Sequence, residues 1–370
     1  MTNKDNKKIV FILPSLSHPR YIKRVVSLHK AGFNIEVYGF NRNIYSINKI
    51  PEYIKVNVLG DISDGKNYME RIWQYKKTLF ALYRRYRKEK VIYYVFGHDL
   101  AISTLIFGRK SYVYEIGDLR YVYFNRFFES FFLFFDRKVI SKSILTVLIT
   151  EGFIRYLNIY KYKDKIVIQP NKISKYFNNF KRETWIDNNN EKIVFGFVGL
   201  IRYPNTIFRF AKVVGEYFPM HEFRFYGDTP MFRNEIIDLT NKYTNIKFLG
   251  EFKNPEDLDT IYQNIDCSVM CYDITNINEK VAQPNKFYEA IFFCKPIIIS
   301  DKMLLAKEIQ NNQWGYAIDA TNEKEIKKLI SSINKKELKQ ISINLSKVPI
   351  NKIIDDDSKQ IIDQLNSIRL

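Results

Sequence analysis

Cysteine and histidine are scarce in this chain, with 3 Cys and 4 His among 370 residues. Cys267, Cys271 and Cys294 are odd in number, and the first two lie in or near an apolar run that reads as a buried strand. Plain packing in a reducing compartment is therefore expected, not a disulfide framework. Four histidines offer no zinc-type cluster, so no metal is expected. No Gly-x-Gly-x-x-Gly follows a strand-like run, which disfavours a nicotinamide-dependent dehydrogenase. No run of 18 apolar residues occurs, and Met1–Lys8 has no signal-peptide pattern, so a cytoplasmic protein without a spanning helix is expected.

Acidic residues are also short in one half. Residues 1–180 hold 32 Lys/Arg against 14 Asp/Glu, a difference of +18, whereas residues 181–370 hold 26 of each. The whole net charge of +18 therefore sits on the first half. Such asymmetry calls for an anionic partner there: a membrane surface, a nucleic acid or a phosphorylated substrate.

What is present is a repeated strand–helix alternation. Ile9–Leu13 is an apolar run closed by Pro14, as in a strand buried on both faces. A helical pattern over 21–31 stops at Gly32, and strands follow at 34–39, 55–59, 91–96, 112–115, 144–149 and 165–168. The polar, Asn-rich stretch 178–192 reads as a linker. The pattern then restarts with strands at 193–198, 222–226, 246–249, 267–270 and 296–299. Alternation of this kind predicts an α/β fold of two Rossmann-like, doubly wound parallel-sheet domains facing a central cleft. The expected limits are 1–180, 190–335 and a helical tail at 336–370 that packs back on the first domain. Ligands then sit beyond the carboxyl ends of the strands.

Four segments carry a resemblance. They are Pro14–Arg20 with Leu28–Val37; Gly97-His98-Asp99 with Tyr114–Asp118; Phe195–Arg202; and Gln283–Ala290 with Cys294–Ile298. In this order, over roughly residues 8–330, the chain resembles the group 1 retaining glycosyltransferases of the GT-B fold, of the bacterial surface-polysaccharide kind. The resemblance implies transfer of a sugar from a nucleoside-diphosphate sugar, UDP-linked by preference, to a glycan or polyprenyl-linked acceptor in capsule or O-antigen synthesis. The donor is a substrate, and no cofactor is implied.

The chemistry of these residues is consistent with that implication. Pro284-Asn285-Lys286 at a helix start offers free N–H groups, a positive dipole end and a cation to a diphosphate. Glu289, one turn on, can accept two hydroxyl hydrogen bonds from a ribose, the role the resemblance implies. Gly199 ends a strand and places Arg202 where its guanidinium can grip phosphate oxygens and stabilise the leaving nucleotide. His98, with Arg202 and Lys286, makes up the expected catalytic group, His98 positioning and polarising the acceptor. Ser17, His18, Arg20, Asp99, Glu115 and Asp118 are expected on the acceptor and sugar side.

Two departures stand out. Asn205-Thr206 occupies the place where relatives carry a second cation before a glycine. Val281 stands eight positions before Glu289, where relatives carry a second glutamate that touches the donor sugar; Asp273 and Glu279 are the nearby carboxylates.

The charge of the first half concentrates in two segments. Residues 71–90 mix Trp73, Tyr75, Phe80, Tyr83 and Tyr86 with Arg71, Lys76, Lys77, Arg84, Arg85, Arg87, Lys88 and Lys90. Phe124, Phe127, Phe128, Phe131, Phe132 and Phe135 recur on one helical stripe, flanked by Arg120, Arg126, Arg137 and Lys138. This combination predicts peripheral association with an anionic membrane surface, on the cytoplasmic face, and no nucleic acid partner. Core packing is the competing account of the stripe. For the chain as a whole, the alternatives are an inactive GT-B scaffold, a sugar-nucleotide epimerase of the same fold, and a basic nucleic-acid-binding protein.

Overall fold

The computed structural model describes residues 7–42, 49–62, 78–108, 110–184, 191–229 and 231–368. Residues 71–77 of the basic segment and 185–190 of the Asn-rich stretch lie outside the described residues. The chain divides into two compact units, one of residues 1–170 with 356–370 and the other of residues 171–355. The polar stretch at 178–192 thus falls inside the second unit, and the change of unit comes at Pro170 and Asn171.

The first unit is built on seven parallel strands: β1 (Lys8–Leu13), β2 (Asn34–Asn41), β3 (Val56–Asp61), β4 (Val91–Phe96), β5 (Tyr112–Ile116), β6 (Leu145–Leu148) and β7 (Ile166–Ile168). Their spatial order is β3-β2-β1-β4-β5-β6-β7. All residues of β4 and β5 are buried, as a sheet covered on both faces requires. Register is set by pairs such as Ile9 with Ile35 and Ile9 with Ile92. The order reverses between β1 and β4, so the carboxyl ends of these strands flank a switch point. The helix Lys359–Ser367 belongs to this unit, where Ile361 and Leu365 join the core formed by Ile9, Phe11, Val25 and Tyr94.

The second unit carries six parallel strands: β8 (Val194–Val198), β9 (Glu222–Tyr226), β10 (Ile246–Phe248), β11 (Cys267–Met270), β12 (Ile297–Ser300) and β13 (Gly315–Ile318). Their order is β10-β9-β8-β11-β12-β13, with the switch point between β8 and β11. All three cysteines are free and buried in its core. Helices 335–346 and 350–353 stay with this unit, so the tail is shared between the two units instead of forming a separate element. Among the described residues, no helix is long and apolar enough to cross a membrane.

Candidate active site

At the carboxyl end of β8 the chain turns at Gly199, whose φ is +114° and whose N–H donates to Tyr226 O at 2.8 Å. Gly227 lies so close that a side chain there would collide with the Gly199 carbonyl. The close approach requires glycine at 227, and the positive φ favours it at 199. Arg202 follows on the exposed surface, its guanidinium 5.7 Å from the Tyr203 ring centroid.

The helix Asn285–Phe292 starts after Pro284 with no side-chain cap on its first turn, which leaves N–H groups for a ligand. Asn285 is exposed, but Lys286 is buried. Its ammonium lies 3.5 Å from the Phe197 ring centroid and 5.6 Å from that of Tyr272. It also borders Gly199, where an added Cβ would stand 3.5 Å from Nζ. Glu289, one turn along and also buried, accepts a hydrogen bond from the Tyr262 hydroxyl at 2.9 Å.

Burial sets the protonation of this pair. It pulls Lys286 down to about 7, with Glu289 opposing the change and Arg202 reinforcing it. Burial likewise pushes Glu289 upward against the Tyr262 hydroxyl, Lys286 and Asn254. For both groups desolvation outweighs their mutual attraction. The site is thus held poor in counter-charge and hydrogen-bond partners, as suits one completed by an anionic, hydroxyl-bearing ligand.

The helix carrying Lys286 and Glu289 is anchored by Arg182. Its guanidinium donates to the carbonyls of Ile291 at 2.9 Å and Phe292 at 3.2 Å, and to Leu345 at 2.6 Å, Ser346 at 3.1 Å and Val348 at 2.6 Å. One cation thereby satisfies the carbonyl ends of two helices.

The structure accounts for both sequence departures. Asn205 stands at the start of its helix with its N–H and Nδ2 donating to Asp273 at 3.1 and 3.0 Å, and Thr206 Oγ1 donates to the same carboxylate at 2.7 Å. Asp273 is therefore a cap. Glu279 accepts from Asn276 N at 3.0 Å and Thr275 Oγ1 at 3.1 Å in a capping box. Val281 is buried. None of the three presents an uncommitted carboxylate.

In the first unit, the loops after β1, β4 and β5 enclose a cavity of about 150 Å³. His18, Arg20, His98, Asp99, Glu115 and Asp118 all line it, so widely spaced sequence candidates meet there. Ser17 does not line it; its hydroxyl lies 3.2 Å from that of Ser15. His98 Nε2 donates to Phe132 O at 3.1 Å, leaving Nδ1 as the acceptor. Asp136 Oδ1 stands 3.9 Å away, and the His98 side chain is 9% exposed. Glu115 is structural: Arg24 donates to both its oxygens, at 2.9 and 3.2 Å, and Tyr94 Oη donates at 2.5 Å. Arg24 also reaches Ser358, tying the returning segment to the sheet. Among the described residues no group of three His, Cys, Asp or Glu side chains gathers as metal ligands.

Residues 180–347 match the family model for glycosyl transferases group 1. Over these residues the chain is similar to the group 1 glycosyltransferases. Its two sheets reproduce the GT-B fold of solved glycosyltransferase structures. HepE of Anabaena, in complex with UDP and glucose, superposes with a TM-score of 0.68 at 13% identity, covering 97% of this chain and 99% of that one. The E. coli trehalose-6-phosphate structure bound with UDP-2-fluoro glucose gives 0.69 at 10% identity, covering 98% and 100%. The lipopolysaccharide outer core galactosyltransferase WaaB gives 0.64 at 14% identity, covering 97% and 99%. No curated protein matches in sequence. The matched domain supports a glycosyltransferase.

The aromatic stripe of this glycosyltransferase is not core. On and before the helix Arg126–Lys142, Phe124, Phe127, Phe128 and Phe131 are exposed, Phe127 by 74%. Phe134 joins them, whereas Phe132 and Phe135 are half-buried. The inward face is Asp136, Val139 and Ile140. Arg84, Arg85, Arg87 and Lys88 are exposed beside buried Tyr83 and Tyr86. Sequence reasoning missed Arg182, whose partners are backbone carbonyls and leave no pattern. It also missed Arg42 as a cavity residue, and Phe197, Tyr262 and Tyr272 as the walls and partner of Lys286 and Glu289.

Proposed function

We propose that this chain is a retaining glycosyltransferase that takes a sugar from a UDP-sugar and passes it to a glycan or polyprenyl-linked acceptor in surface polysaccharide synthesis. The observation that carries the reading is the juxtaposition of Lys286, Glu289 and Gly199 at the switch point of the second sheet. Bound UDP in HepE, and UDP-2-fluoro glucose in the E. coli structure, support UDP as the carrier.

In this reading the diphosphate lies against the open first turn of helix 285–292, with Lys286 and Arg202 balancing its charge and Glu289 accepting from the ribose hydroxyls. These groups stabilise the anion that develops as the anomeric C–O bond to phosphate breaks. The acceptor oxygen forms its bond to the anomeric carbon on the face the phosphate leaves. Its proton passes to the departing phosphate oxygen, so no protein base is required. His98 orients the acceptor through Nδ1. The charge of the diphosphate is met by cations and a helix end, without a metal ion.

The exposed phenylalanines of helix 126–142, with Arg126 and Lys138 exposed on the same element, favour peripheral attachment to an anionic membrane on its cytoplasmic face, where a lipid-linked acceptor is presented. Nucleic acid is not the partner in this reading. A second reading, an inactive scaffold, is favoured by one observation: Asp273 and Glu279 are spent on caps and residue 281 is valine.

Thermal-shift binding of UDP, GDP, dTDP and CMP to the wild type and to Glu289→Ala tests the donor site. A rise with UDP that the mutant loses is expected. No rise with any nucleotide defeats the reading. Binding of UDP without hydrolysis or transfer from any UDP-sugar favours the scaffold.

A further inference from the structure

The first-unit cavity contains more cation than the reaction just described uses. Arg20, Arg42 and Arg120 all contribute to its wall. Arg20 packs over Gly117, where any side chain would run into its guanidinium. Arg42 stands just past β2 with its Nε buried and without a hydrogen-bond acceptor. Arg120 reaches the cavity from an exposed position after β5. Asp99 and Asp118 are the opposing carboxylates, and Glu115 is already neutralised by Arg24. Three guanidinium groups thus share the wall with these two carboxylates.

The field of the three is felt by their neighbour. Burial, and after it Arg20 and Arg120, with Arg42 as a further contributor, hold the His18 imidazole down at about 4, so it adds no charge at neutral pH. The first turn of helix Pro19–Lys30 carries no acidic residue and also lines the cavity. A volume of about 150 Å³ takes one phosphate, or a carboxylate with part of its sugar ring. Guanidinium groups suit both, since each can bind two oxygens of a planar or tetrahedral anion.

We propose that Arg20, Arg42 and Arg120 form a binding site for an anionic group on the acceptor, either a sugar carboxylate or a lipid-linked phosphate. The proposal rests on the transferase reading for the word acceptor. Its three arginines belong to the first unit, whereas Lys286 and Arg202, assigned to the donor diphosphate, belong to the second.

The test is calorimetric titration of the full chain with octyl glucuronide, geranyl diphosphate, neutral octyl glucoside and, separately, UDP. Wild type is compared with Arg42→Gln and Arg120→Gln. At least one anionic probe should bind where octyl glucoside does not, and each substitution should weaken it by about tenfold or more while UDP affinity stays within about threefold. Preference for the glucuronide names a sugar carboxylate; preference for geranyl diphosphate names the lipid carrier. The proposal is overturned if neither anionic probe outbinds the neutral one, if the substitutions leave binding unchanged, or if they remove UDP binding equally, since the arginines would then serve the donor. Failure of the wild type to bind UDP is a failure of the transferase reading, and the response of the anionic probes still judges this site.

Discussion

Replacing Lys286 by methionine separates stability from function at the donor site. The lysine stem is enclosed, with its ammonium against Phe197 and bordering Tyr272 and Gly199, and methionine fills that slot without a charge. The gap between the usual 10.5 and about 7 sets a ceiling of ~5 kcal/mol on the cost of the charge, at about 1.4 kcal/mol per pH unit. Loss of the ammonium's contacts with the Phe197 and Tyr272 rings offsets part of this, so a net gain of about 1–3 kcal/mol in the ligand-free protein is expected. At ~3 °C per kcal/mol for a unit of this size, Tm rises by about 3–9 °C. The sign with pH is fixed. Between pH 7 and 10.5 the unfolded lysine holds a proton that the folded one releases, so wild-type stability rises across that window. The advantage of Lys286→Met is therefore largest at pH 7 and below, and fades as pH approaches 10.5. UDP affinity falls by about 10–100-fold in the same variant, as a charge-assisted contact to phosphate is lost. Melting curves from pH 6.5 to 10, with and without UDP, read all of this. A variant less stable than wild type at pH 7, an advantage that does not shrink with pH, or unchanged UDP affinity refutes the argument.

Three further outcomes follow from individual contacts. Arg182→Met strands five carbonyls and should cost about 2–4 kcal/mol, with weaker UDP binding through the displaced helix 285–292, measured by urea unfolding and nucleotide titration. Glu115→Gln leaves Arg24 buried with its partner neutralised and should cost about 3–5 kcal/mol by urea unfolding, without altering UDP affinity once the variant is folded. Phe127→Ser with Phe131→Ser should change stability by less than about 0.5 kcal/mol because both rings are exposed; sedimentation with anionic vesicles should nevertheless drop severalfold, and unaltered sedimentation removes the membrane-face assignment.

Much of the architecture was legible because buried parallel strands print themselves as apolar runs. β4 and β11 coincide with the expected limits, and β9 likewise. β13 went unseen for a physical reason: it is an edge strand with three of four residues only partly buried, so Gly315–Ile318 shows neither a run nor an alternation. The tail read as helical throughout, yet helix 335–346 packs through Leu338 and Leu345 into one core, and helix 359–367 packs through Ile361 and Leu365 into the other. Their amphipathic patterns are alike, and the choice of core is a tertiary fact. The phenylalanine stripe was legible as a stripe but not in its orientation. Asp136, which looks like an interruption, marks the inward face, because the Tyr114 and Tyr121 hydroxyls both donate to it at 2.7 Å.

Glu115 and Glu289 show what separates a structural from a ligand-seeking carboxylate where sequence cannot. Both are buried, and both face a carboxyl-end switch region. Glu115 meets an arginine fork and a phenol, so its lone pairs are engaged and its charge is balanced. Glu289 has the Tyr262 hydroxyl, the Asn254 side chain and, at a distance, a lysine itself drawn down by burial. Its carboxyl is pushed upward, so ionisation there is costly until donors arrive. In the donor site proposed above, two ribose hydroxyls would supply such donors, and a diphosphate would restore the charge on Lys286. On the proposed reading the ligand completes an electrostatic set in the second unit, whereas in the first unit the fold has already closed the pair around Glu115.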